Sequence, residues 1–194
     1  MNRLLKHLAR RWSTLCCLLA VVGFGLPAYA QKVLLDTSLG PIVIAVDAAK
    51  APKSAANFLE YVKAGHYDGT VFHRVIPNFM IQGGGFDGEM AQKPTRAPIP
   101  LESKNGLTNV RGSVAMARTS VPDSATAQFF INLKDNAFLD SANTPDGTGY
   151  AVFGKVMSGM EVVDKIAAVP TANKGPHQSV PVTPVIIRKA TVEN

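Results

Sequence analysis

Apolar residues recur at every second position in short runs, and turn-forming residues end each run before it reaches helical length. Residues 32–37 alternate, Ser38, Leu39 and Gly40 have turn chemistry, and residues 41–46 alternate again, which predicts an antiparallel hairpin. Further strands are predicted over residues 71–76 and 80–82, on either side of Pro77 and Asn78, and over 113–116, 128–133, 150–156 and 185–189. Helical spacing occurs in two places. Pro52 suits a first helical turn, Ala55, Phe58, Leu59 and Val62 share one face, and Gly65 stands where that helix ends. Ser158 and Glu161 match a capping box that opens a second helix running to about Ala168. About eight strands and two helices without βαβ alternation predict a mainly β, closed antiparallel barrel rather than a doubly wound sheet. Residues 86–111 carry prolines and glycines with little periodicity, and read as a long ordered loop of the kind that carries function.

The first thirty residues differ in kind from the rest. Arg3, Lys6, Arg10 and Arg11 precede an apolar run over 15–26, and Ala28-Tyr29-Ala30 places small residues where a signal peptidase reads. The run is shorter than the ~20 residues a membrane span needs, so residues 1–30 read as a cleaved signal peptide, with cleavage after Ala30 and one domain over 31–194. Leu15 before Cys16 does not suit a lipoprotein site. Both cysteines and the one tryptophan lie in this leader, so the mature chain has no disulfide framework. Cleavage leaves 16 basic residues against 14 acidic ones, and charges of both signs alternate along them, so no basic face for nucleic acid is expected. The expected location is the periplasm, with no membrane attachment after cleavage and a monomeric state.

Familiar site types fail on the residues. Gly83-Gly84-Gly85 is followed by neither Lys-Ser nor Lys-Thr, so it reads as a turn rather than a phosphate cradle. No serine sits in a G-x-S-x-G elbow and no mature cysteine exists, which removes two nucleophiles and with them an extracellular hydrolase. His66, His73 and His177 lack metal-ligand spacing. No metal and no cofactor are expected. What remains is the stretch Phe72-His73-Arg74-Val75-Ile76-Pro77-Asn78-Phe79-Met80-Ile81-Gln82-Gly83-Gly84-Gly85-Phe86, where apolar residues surround single polar ones. If residues 80–82 form a strand, Met80 and Gln82 share a face that Arg74 and Phe79 can also reach. Taken alone, the same pattern also suits a structural arginine beside an apolar strand.

That stretch resembles the signature of the cyclophilins, a peptidyl-prolyl isomerase family. The resemblance continues through Arg111-Gly112-Ser113-Val114-Ala115-Met116-Ala117-Arg118, Ser124-Ala125-Thr126-Ala127-Gln128-Phe129-Phe130-Ile131, Ala137-Phe138-Leu139-Asp140 and Val152-Phe153-Gly154-Lys155-Val156. The blocks follow the family's order, the resemblance covers essentially residues 32–192, and the leader is similar to that of exported bacterial members. The resemblance implies a closed eight-stranded antiparallel β-barrel capped by two α-helices. It also implies X-Pro isomerisation on proline-containing, unfolded or folding polypeptides. By motif, it makes Arg74 the catalytic arginine and Gln82 its hydrogen-bonding neighbour. Phe79, Met80, Phe130 and Leu139 line the proline pocket, and Ala117 and Gln128 contact the substrate backbone. Arg118 stands where many members have Asn; if that position binds through its main chain, the change matters more for local charge than for binding. Phe138 stands where many eukaryotic members have Trp, so the indole N–H that bonds cyclosporin is missing and weak cyclosporin binding is expected. Tyr150 takes the place of a pocket histidine, after a connection over 140–149 that is several residues longer than the family's. The rival implied by the same fold is a proline-peptide binding module or chaperone without turnover.

The implied chemistry suits these residues. Resonance gives an amide its ~18–20 kcal/mol rotational barrier, and in the twisted transition state the prolyl nitrogen regains its lone pair. A donor aimed at that nitrogen stabilises the twisted form alone, and a guanidinium is planar and always charged.

Overall fold

A computed structural model describes residues 31–193; the signal-peptide reading of residues 1–30 lies outside the described residues. β1 (Lys32–Thr37) and β2 (Gly40–Val46) form the predicted hairpin, with Lys32 opposite Ala45 and Thr37 opposite Gly40. Thr37 Oγ1 donates to Gly40 O (2.6 Å) and accepts from Leu39 N–H (3.2 Å), which stiffens the turn. Val33, Leu35, Ile42, Ile44 and Val46 all face inward, the period of two that a sheet covering a core requires.

α1 (Pro52–Lys63) starts at its proline as the sequence predicts, but its N-cap, Ala51, has no side-chain acceptor. The free amides are satisfied from far along the chain. The Glu102 carboxylate accepts from the N–H of Lys53 (3.0 Å) and Ser54 (2.7 Å) and from Ser54 Oγ (2.8 Å). A carboxylate there also complements the helix dipole, and it ties the long 86–111 loop to the helix. From α1, Phe58 reaches inward, its ring 5.0 Å from Phe153, 5.2 Å from Tyr67 and 5.4 Å from Phe129.

β3 (Thr70–Val71), β4 (Arg74–Ile76), β5 (Met80–Gly83), β6 (Ser113–Met116), β7 (Phe129–Asn132), β8 (Val152–Ser158) and β11 (Ile186–Glu193) join β1 and β2 in one curled antiparallel sheet. Its nine strands run in the order β3-β11-β1-β2-β8-β6-β7-β5-β4. The fold is mainly β with two helices, but the sheet is an open half-barrel, not the closed eight-stranded barrel expected. The predicted strand over 71–76 splits: β3 pairs with β11, β4 pairs with β5, and no ladder joins β3 to β4. Phe72 N–H still donates to Val185 O, so the break falls at His73. Beyond it β4 packs instead against an unpredicted hairpin of β9 (Thr171–Lys174) and β10 (His177–Pro181).

α2 (Met160–Ala167) corrects the capping-box reading, because its N-cap is Gly159 and Ser158 is the last residue of β8. Gly159 has φ +89°, and a Cβ there would lie 2.4 Å from Pro41 O, so only glycine lets the chain turn this close to β2. Val162, Val163 and Ile166 are buried beneath the helix, which packs on β2, β4 and β5.

Alternation places two apolar clusters on opposite faces of the same strands. Ile81, Val114 and Ile131 point into the main core, whereas Met80, Ala115 and Phe130 join Leu139 and Val152 in a smaller cluster on the other face. Because the α1 cap comes from a side chain, its removal is measurable. Glu102→Ala is expected to lose about 1–2 kcal/mol of stability, read as a lower urea midpoint with an unchanged slope.

Candidate active site

The smaller cluster is the floor of a cleft of about 100 Å³ lined by Arg74, Phe79, Met80, Gln82, Ala117, Arg118, Phe130, Leu139 and Tyr150. Pairing explains the arrangement: Arg74 on β4 lies opposite Gln82 on β5, and Gln82 lies opposite Phe130 on β7. Arg74 Nη1 donates to Gln82 Oε1 (3.3 Å), and Gln82 Nε2 donates to Gln128 Oε1 (2.8 Å). Each polar side chain thus aims the next. Arg74 is half-buried, while Met80, Phe130 and Leu139 are 2%, 4% and 7% exposed, so a charged donor stands at the edge of a dry apolar floor.

The structure brings all eleven sequence-predicted residues to one place, in two tiers. Nine line the cleft. Gln128 stands behind it and reaches it through Gln82, and Phe138 lies at the rim, 57% exposed and stacked on Phe79 at 5.6 Å and 26°. Gly85 makes the Gln128 position possible, because a Cβ there would come within 2.5 Å of the Gln128 side chain. The glycine run therefore does more than end β5.

Sequence reasoning missed the supports. Asn136 Nδ2 donates to Phe79 O (2.9 Å) and to Asn132 Oδ1 (2.8 Å), and Asn132 Nδ2 donates to Ser113 Oγ (2.8 Å) and Asn109 Oδ1 (3.2 Å). Asn109 in turn donates its backbone and side-chain N–H to Asp140 Oδ1, both at 2.8 Å. This buried network fastens Phe79 and the 3-10 turn Ala137–Leu139, which carries Phe138 and Leu139, to the sheet. In a sequence these asparagines read like any turn residues, and no local signal marks them.

His73 lies directly behind Arg74 in the chain, 5% exposed, its ring 4.7 Å from Phe86, whose other neighbour is His177 at 4.9 Å. Burial pushes the imidazole down to about 4, with His177 and Arg74 adding smaller shifts in the same direction. A neutral ring therefore sits beside the guanidinium at neutral pH.

A larger cavity of about 660 Å³ lies between β2, β8 and residues 106–110. It has the greater volume but lacks an aligned set of donors, so the chemistry is placed in the smaller cleft. Among the described residues lining that cleft there is no Ser, Cys, Asp, Glu, Lys or His, and the Tyr150 phenol is the one hydroxyl. Such a site binds an apolar group and stabilises charge or a lone pair beside it, which is the class of an enzyme working by conformation rather than by bond breaking.

Comparison with known proteins agrees with that class. Residues 32–192 match the family described as "Cyclophilin type peptidyl-prolyl cis-trans isomerase/CLD". Peptidyl-prolyl cis-trans isomerase A of Dickeya dadantii is 56% identical over 170 residues, covering 86% of this chain and 88% of the relative. Peptidyl-prolyl cis-trans isomerase B of Escherichia coli is 54% identical over 161 residues, covering 82% and 98%. A Cryptosporidium parvum cyclophilin, crystallised in the presence of the dipeptide Ala-Pro, superposes with a TM-score of 0.69 at 26% identity, covering 84% of this chain and 99% of that one. The chain belongs to the cyclophilin type peptidyl-prolyl cis-trans isomerases, and its activity is the cis/trans isomerisation of X-Pro bonds.

The His73 environment sets an acid limit on the fold. Its pKa is about 4 when folded against an ordinary value of 6.5, so the unfolded chain takes up the proton first as pH falls. Stability is full above pH 6.5 and declines on the way to about 4, by on the order of 3 kcal/mol. Guanidinium midpoints at pH 7 and pH 4.5 are expected to differ for the parent and to differ less in His73→Phe, where the partly buried His66 keeps a remnant of the effect.

Proposed function

We propose that Arg74 accelerates isomerisation by donating to the prolyl nitrogen as the amide twists, while Phe79, Met80, Phe130 and Leu139 hold the proline ring. The observation that carries this reading is the Arg74–Gln82–Gln128 line beside a cleft with buried apolar side chains and no carboxylate, imidazole, thiol or amine. Gln82 takes one guanidinium N–H and leaves the others for substrate. The substrate is the proline residue of a polypeptide, in keeping with the Ala-Pro dipeptide present with the Cryptosporidium parvum relative. Ala117, Arg118 and Gln128 stand beside the path of its backbone, with Tyr150 and Phe138 at the rim. The clients are exported proteins met in the periplasm by a monomer freed of residues 1–30.

One charge-assisted hydrogen bond contributes roughly 1.5–3 kcal/mol. Arg74→Ala is therefore expected to lower kcat/KM about 10- to 100-fold, measured as cis/trans exchange of an Ala-Pro-Phe peptide by NMR, with an unchanged circular dichroism spectrum. A variant retaining near-full activity refutes the role given to Arg74.

Phe138 gives the rim an aromatic face but no N–H donor. Cyclosporin is expected to bind weakly, and Phe138→Trp is expected to tighten it about tenfold, the worth of one good hydrogen bond. Isothermal titration of both proteins checks this.

A further inference from the structure

The wall of the cleft facing Phe130 comes from a segment that belongs to no strand. Residues 140–149 leave the 3-10 turn and return at Tyr150, whose N–H donates to Leu139 O (2.9 Å) and whose ring meets Phe130 edge-on at 5.6 Å and 81°. The end of the connection is also tied by Gly149 N–H to Thr144 Oγ1 (3.1 Å) and by Asn109 Nδ2 to Tyr150 O (3.5 Å), but neither of these bonds touches the Tyr150 ring. Arg118, two residues past the end of β6, reaches both the backbone of this segment and the ring. Its Nε donates to Gly149 O (2.9 Å), its Nη2 to Thr148 Oγ1 (2.8 Å) and its Nη1 to Thr119 O (2.9 Å). Its Cζ lies 4.7 Å from the centre of the Tyr150 ring. Thr148 is itself held, donating Oγ1–H to Asp146 Oδ2 (2.7 Å) and N–H to Asp146 Oδ1 (3.0 Å).

Every nitrogen of this guanidinium is directed at an acceptor of its own chain, and its face lies on an aromatic ring. Arg118 is thus not presented to substrate as a free charge, although it lines the cleft. We propose that Arg118 is a positioning residue for the isomerase: it locks residues 148–150 so that the Tyr150 ring forms a fixed wall of the proline cleft, and so governs substrate binding rather than the twisting step. A planar fork is required, since a lysine ammonium cannot reach three divergent acceptors while stacking on a ring. The proposal rests on the reading of this cleft as the proline site. It also revises the expectation that the change here matters more for local charge than for binding.

The test compares the full chain with Arg118→Ala, Arg118→Lys and the milder Thr148→Val, which removes one of the bonds. Amide exchange at Tyr150 is expected to rise about tenfold in Arg118→Ala while amides of β5 and β7 keep their protection. KM for a proline peptide is expected to rise about five- to tenfold with kcat nearly unchanged. Arg118→Lys does not rescue, and Thr148→Val shifts both readouts the same way by less. Unchanged exchange at Tyr150 overturns the proposal, as does loss of protection spread evenly over β5 and β7, which marks a merely structural role. Faster Tyr150 exchange with unaltered KM also overturns it, and Phe130→Ala then separates the cases. If Phe130→Ala raises KM, the cleft is the proline site and the Arg118 proposal alone has failed; if it does not, the cleft assignment has failed as well.

Discussion

Burial on both faces of β5, β6 and β7 is the constraint from which the rest of the molecule follows. A strand covered on one face alternates buried and partly exposed residues, and β1 and β2 do so. Phe129-Phe130-Ile131 does not alternate, because Phe129 and Ile131 fill the main core while Phe130 lies in the second cluster with Met80 and Ala115. That second cluster is not closed over by a helix. It is covered at its margin by the 3-10 turn and by Tyr150, and what stays open between them is a cleft matched to a small apolar ring. Any polar group that shares this face is held in a setting where water competes little. Arg74 and Gln82 share it because the β4–β5 register sets them opposite each other.

The same strands explain what could be read in advance and what could not. The β1–β2 hairpin, the start of α1 at Pro52 and the bounds of β6 follow from local pattern, and the structure reproduces them. The site residues were legible because they cluster in a few contiguous blocks, so a motif captures most of the cleft. Failures fall where distant groups override local preference. Ser158 and Glu161 have the chemistry of a capping box, yet close packing of Gly159 on Pro41 moves the cap by one residue. Residues 171–181 show no apolar alternation, being mostly exposed, so the hairpin β9–β10 left no trace in the pattern. The strand over 71–76 reads as continuous, but β3 and β4 have different partners, and a change of partner at His73 is a tertiary fact.

Supports were the least legible component. Glu102 caps a helix that starts 50 residues earlier, and Asn109, Asn132 and Asn136 fasten the 3-10 turn through bonds across the fold. Arg118 is the clearest instance. Its place beside the cleft suggests a contact with substrate backbone, whereas two of its three side-chain hydrogen bonds run to Thr148 and Gly149 and the third to its neighbour Thr119. The connection over 140–149 and Arg118 are thus joined physically, although they lie some 30 residues apart in the chain.

The division of labour in the cleft follows from magnitudes. A rotational barrier of ~18–20 kcal/mol lowered enough for a ~10⁵-fold acceleration requires about 7 kcal/mol of differential stabilisation. On the proposed reading, a single hydrogen bond from Arg74, at roughly 1.5–3 kcal/mol, would supply less than half of it. The remainder would then come from geometry that exists before substrate arrives: the buried floor of Met80, Phe130 and Leu139 and an arginine already aimed by Gln82 and Gln128. Such geometry acts only if it is rigid, which is why so much of the structure around the cleft is devoted to fastening side chains that never meet substrate. His73 belongs to the same economy of charge: burial keeps it neutral beside Arg74. Acid reaches the fold through His73, because burial opposes a proton that the unfolded chain accepts freely.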